Sequence, residues 1–170
     1  MDQKKQKTIL QRLISLPFAL VFVAAILPLM TFSCGEHKLA EVNAYQLATG
    51  GSFESVAIEE LQKNTEKADM EKMPSFPSVP LIYVIFVAVA LAIAFAFISP
   101  VGSAILGSIA LCFLWLLLHR IPVALGNANY PMDAFECQIG MGTYCISLLL
   151  LMGITLSVAS IIRERRGKHS

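Results

Sequence analysis

The sequence predicts an all-α membrane protein with four transmembrane helices and one sizeable extracytoplasmic loop. Three observations predict it. Four apolar runs of 18 to 21 residues, at 13–33, 79–99, 101–118 and 144–162, contain no Asp, Glu, Lys, Arg or His. Basic residues crowd both ends of the chain, with Lys4, Lys5, Lys7 and Arg12 at one and Arg163, Arg165, Arg166 and Lys168 at the other. The segment 34–78 between the first two runs carries eight acidic and four basic residues, a net of −4.

Each run has the length of a membrane helix. At about 1.5 Å per residue, 18 to 21 residues cover the ~30 Å hydrocarbon core. The composition agrees, at 56% hydrophobic and 15% charged, against roughly 25% charged in soluble domains. The positive-inside rule puts both basic ends in the cytoplasm, which an even number of spans satisfies. Loops 34–78 and 119–143 then face outward. The whole chain, 1–170, forms one four-helix transmembrane domain.

Run 13–33 follows a basic stretch, as a signal peptide would. It is longer than an ordinary signal core, and Thr31 and Phe32 do not fit a lipoprotein cleavage site before Cys34. It therefore reads as a retained helix, kinked at Pro17 and Pro28. In loop 34–78, residues 38–50 favour a short extended segment that ends at Gly50-Gly51. Residues 54–72, rich in Glu, Lys, Gln and Ala, favour a short polar helix before Pro74. Pro77 and Pro80 lead into the second span. Loop 119–143 holds a turn cluster around Gly126, Asn127, Asn129 and Pro131.

Small residues recur at four-residue steps within three spans: Ala88, Ala92 and Ala96, then Ser103 and Gly107, then Gly153 and Ser157. That spacing lets helix backbones approach closely in lipid. It serves packing within one chain or against another.

Residues with chemistry are few. Cys112 reads as a small buried apolar residue of the third span. Cys34, Cys137 and Cys145 all map to the outer side, where an oxidising compartment favours a disulfide. The expected bond joins Cys34 to Cys137 or Cys145, with Cys137 preferred. Cys34-Gly35-Glu36-His37 offers metal-binding groups, but the spacing matches no zinc pattern and His119 and His169 are scattered, so no metal is expected. No ionisable group lies inside a run, which argues against proton- or ion-coupled transport. No phosphate-binding glycine loop, acid–base dyad or aromatic-interleaved basic patch occurs. No cofactor and no nucleic acid is expected, and the basic ends read as orientation signals that touch anionic head groups.

Phe32-Ser33-Cys34-Gly35 and Asn43 to Gly50 (Asn-Ala-Tyr-Gln-Leu-Ala-Thr-Gly) carry a resemblance over roughly the first fifty residues. The chain resembles a loosely defined group of small uncharacterised bacterial membrane proteins. They share a Cys-Gly step and a Gly-Tyr-Gln-Leu-Ala-Thr-Gly-like loop after the first of four spans. Ala44 stands where that pattern has Gly. The resemblance implies a bacterial inner membrane and no particular activity.

Together these features lead to the expectation of a non-enzymatic membrane subunit or scaffold. Its partners would be the lipid bilayer and another membrane or extracytoplasmic protein, met through the outer loop or the helix faces. A second copy of the chain is a further candidate. One rival is a membrane thiol-disulfide oxidoreductase using the outward cysteines, although it lacks the Cys-x-x-Cys motif of such enzymes. A second rival is a carrier for an apolar molecule.

Overall fold

The computed structural model describes residues 3–34, 37–52, 75–76, 78–127 and 136–167. In chain order they form α1 (Gln3–Ala24), β1 (Pro28–Cys34), β2 (His37–Asn43), α2 (Ala44–Thr49), β3 (Gly51–Ser52) and β4 (Ser75–Phe76). α3 (Leu81–Ile98), α4 (Pro100–Asn127), β5 (Glu136–Ile139) and α5 (Met141–Gly167) follow. The described residues are mostly helical, with a three-stranded and a two-stranded sheet. Among the described residues, three helices are long and apolar enough to cross a membrane: Leu81–Ile98, Pro100–Arg120 and Met141–Arg166. Only 33%, 33% and 28% of these spans is buried within the protein. Their outward faces carry side chains such as Val87, Ile105 and Leu148, an all-round apolarity that suits helices in lipid.

The chain divides into two compact units. One comprises Met1–Ala24, Tyr83–Leu114 and Cys145–Ser170; the other comprises Ala25–Ile82 and Trp115–Tyr144.

The first unit is helical. Phe18 of α1 is fully buried. A Cβ placed on Gly107 of α4 would come within 2.8 Å of its ring, and one on Gly153 of α5 within 2.6 Å. The ring therefore occupies space that the two glycines leave open. On α3, Ala88, Ala92 and Ala96 are buried, as are Ser103 on α4 and Ser157 on α5. Phe22 of α1 meets Phe86 of α3 with ring centroids 5.6 Å apart, within the favourable range for aromatic pairs. A one-residue joint links α3 to α4. Ser99 N–H donates to the Phe95 carbonyl (2.7 Å), and the Ser99 carbonyl accepts from Ser103 N–H (3.2 Å). Pro100 has no N–H to continue α3, and its fixed φ suits the first position of α4.

The second unit is built on a three-stranded antiparallel sheet in the order β2-β1-β5. β1 pairs with β2 (Met30↔Val42, Thr31↔Glu41) and with β5 (Met30↔Ile139, Phe32↔Cys137). Gly51 and Ser52 pair separately with Phe76 and Ser75. α2 begins with a reciprocal cap. Gln46 N–H donates to Asn43 Oδ1 at 2.9 Å, while Gln46 Oε1 accepts from Asn43 N–H at 3.0 Å. The helix stops at Gly50, whose φ of 71° suits glycine.

Several expectations require correction. Run 13–33 is not one helix: α1 ends at Ala24, and Pro28 opens β1 rather than kinking a helix. Pro28 has no N–H to offer the carbonyl of Ala24. Successive residues Leu29, Met30, Thr31, Phe32 and Ser33 are all buried, so this central strand is covered on both faces. Such a strand is a continuous apolar run, which hydropathy alone does not distinguish from helix. The protein is accordingly not purely α-helical. The extended segment ends at Asn43, since the Asn43–Gln46 cap makes Ala44–Thr49 helical. α4 runs on to Asn127, into the segment read as loop 119–143, where β5 also lies. The expected polar helix at 54–72 lies outside the described residues.

Candidate functional site

The second unit concentrates the features that look outward from a fold. Its tightest point joins β5 and α5 to β1. The Leu29 carbonyl accepts from Gly140 N–H at 2.7 Å and from the Thr143 hydroxyl at 2.9 Å. A Cβ on Gly140 would collide with the Pro28 carbonyl, and one on Gly142 would lie 2.7 Å from the Leu27 carbonyl. Glycine is required at both because backbone faces backbone. This Gly140-Met141-Gly142-Thr143 step went unread in the sequence, where only the turn-like glycines could have signalled it.

Around this joint lie apolar side chains that the fold leaves open. Met141 is 71% exposed and Ile26 63%. Leu27, Ile139 and Tyr144 are exposed beside them in sequence or register. β2 and β5 form the two edges of the sheet among the described residues. An edge strand presents unpaired backbone donors and acceptors. Edge and apolar rim lie in the same unit.

The cysteines fall into two groups. Cys137 lies opposite Phe32 in the β1–β5 register, and Cys34 follows two residues later on β1. They therefore hold diagonal positions on adjacent strands, roughly 7–8 Å apart in ordinary sheet geometry. Cys145 is a free, half-buried thiol of α5. Cys112 is free and exposed, not buried as expected. The buried positions of α4 run through Ser103, Gly107, Ala110, Leu114 and Leu117, and Cys112 falls off that stripe.

Cys34 and His37 are register partners where β1 meets β2, while Glu36 lies outside the described residues. Among the described residues, no three His, Cys, Asp or Glu side chains converge as metal ligands.

The fold defines a helical membrane protein that carries a small antiparallel sheet. No family model, curated protein or solved structure matches the chain.

Proposed function

We propose that this chain is a non-enzymatic membrane subunit or scaffold that engages another membrane or extracytoplasmic protein through its sheet unit. The observation that carries the reading is the β5 edge with its exposed rim of Ile26, Leu27, Ile139 and Met141. The proposed setting is the bacterial inner membrane, with both termini in the cytoplasm and segments 34–78 and 119–143 outside. α1 is then a fourth span.

Two kinds of contact support that topology. Within the helical unit, the Gln11 side-chain amide of α1 donates to the Phe97 carbonyl at the end of α3 (2.8 Å). Further along α1, Phe18 meets Gly107 and Gly153 in the interiors of the other spans. α1 therefore follows those helices from one end towards the middle of their length. Within the sheet unit, β1 pairs with both β2 and β5. On this reading the segments after α1 and before α5 share one side of the bilayer. That is the side the net charge of 34–78 assigns to the exterior.

A photo-crosslinker at Met141, followed by purification in mild detergent, tests the function. The expected result is a defined protein adduct that Ile139→Lys abolishes without reducing membrane abundance. Adducts to lipid alone, or a partner retained by Ile139→Lys, would refute the reading.

Cys34 and Cys137 lie on neighbouring strands, and a structural disulfide between them would draw the diagonal positions closer together. The pair keeps the oxidoreductase as the second reading. Bound quinone, or thiols that cycle with an added quinone, would favour that rival.

A further inference from the structure

Within the helical unit lies a cleft of about 340 Å³, a volume in the roughly 300–1,000 Å³ range of small-ligand sites. Its polar wall comprises Gln11, Ser99, Ser160, Glu164 and Arg165. Leu10, Ile14, Ile98, Val101 and Ile161 form an apolar wall. We infer that this cleft binds the phosphate group of an anionic phospholipid, with the glycerol and upper acyl chain against the apolar side.

Three features converge on an oxyanion. The cleft opens beside Ser99, Pro100 and Val101, where α4 begins. The first-turn N–H groups of Val101 and Gly102 have no carbonyl within α4 to receive them, so they present donors and the positive end of the helix dipole. Arg165 supplies a guanidinium, whose planar fork matches phosphate oxygens. Ser160 is the independent sign of a ligand. It is only 5% exposed, lines the cleft, and its hydroxyl has no hydrogen-bond partner among the described residues. The fully enclosed unpartnered hydroxyls are those of Ser103 and Ser147; that of Ser160 opens on the cleft, where an oxyanion would accept from it. The Gln11 amide, held by the Phe97 carbonyl, closes the same wall.

Glu164 opposes the anion, which gives the site a signature that a merely structural cleft lacks. Removing its charge should tighten binding, while removing that of Arg165 should weaken it. The position of the cleft on the cytoplasmic leaflet rests on the proposed topology; the binding itself does not.

The test uses the full chain in a neutral detergent. Three probes are titrated: short-chain phosphatidylglycerol, the matching diacylglycerol, and soluble glycerol phosphate. Binding is read by native mass spectrometry. Phosphatidylglycerol should bind at least tenfold more tightly than either other probe, because only it carries both phosphate and acyl chains. Arg165→Gln should weaken it about tenfold, the scale of one lost charge-assisted contact. Ser160→Ala should weaken it several-fold, and Glu164→Gln should tighten it. Arg163→Gln, a neighbour outside the cleft lining, should change it less than twofold. Thermal melts of each variant establish that it is folded. Equal binding of diacylglycerol would overturn the phosphate assignment, and equal binding of glycerol phosphate the lipid one. Equal loss in Arg163→Gln and Arg165→Gln would show diffuse attraction and overturn the cleft.

Discussion

The two units use glycine for different reasons. In the helical unit, Gly107 and Gly153 leave room for a side chain, the ring of Phe18. In the sheet unit, Gly140 and Gly142 leave room for backbone, the carbonyls of Pro28 and Leu27. A ring can tilt or be replaced by a smaller group. The Pro28 carbonyl lies in a paired strand and cannot move without breaking the ladder that holds it. The helical unit should therefore tolerate and repair volume changes, and the sheet unit should not. The difference also suits the two settings. Helices in lipid gain from close van der Waals approach, whereas the sheet is held by register and hydrogen bonds.

The largest effect expected in the sheet unit comes from its cysteines. A Cys34–Cys137 bond would close a loop of roughly a hundred residues, worth up to about 4–5 kcal/mol in the chain-entropy picture. Membrane insertion already restrains the unfolded chain, so that figure is an upper bound. Mass spectrometry of unreduced, alkylated protein should find the linked peptides. Free thiols at both positions would remove this brace. Loss of the bond should lower stability without abolishing a turnover.

Gly140→Ala comes next. It sets a methyl against the Pro28 carbonyl, and the cost should reach about 3 kcal/mol, the upper part of the overpacking range. A melt within one or two degrees of wild type would break the contrast between the units. In the helical unit, Gly153→Ala and Ala92→Leu should each cost about 1–3 kcal/mol. Phe18→Leu should recover part of the Gly153→Ala loss, since the two sites share one space. Additivity of the two changes would show that they do not. The smallest effect is that of Thr143→Val. It removes one of two hydrogen bonds to the Leu29 carbonyl and should cost about 0.5–1.5 kcal/mol.

Legibility in the sequence follows the range of the interactions. α3, α4 and α5 were readable because apolarity over 18 or more residues is a local property. β1 was not, because a strand buried on both faces carries the same apolar signal as a helix. The Asn43-x-x-Gln46 cap is local and was there to be read. Such a cap favours helix over strand at Ala44–Thr49. The four-residue spacing of Ala88, Ala92 and Ala96 was visible. Phe18 as the counterpart of Gly107 and Gly153 was not, since it lies about ninety residues or more away in sequence. Gly140 had no local explanation either; its reason is a carbonyl more than a hundred residues earlier. The cleft brings Gln11 of α1 beside Ser160 and Arg165 of α5, a meeting that no single segment announces.

The central claim is that α1 is a span, so that the sheet-forming segments share the outer side and both termini lie inside. Labelling with a membrane-impermeant thiol reagent in intact cells tests it most directly. Lys4→Cys, Lys67→Cys and Lys168→Cys are compared, with the wild-type chain as the blank. The account predicts labelling at Lys67→Cys alone, with Lys4→Cys and Lys168→Cys reacting only after the cells are opened. Labelling of Lys4→Cys from outside, or protection of Lys67→Cys until lysis, would contradict it.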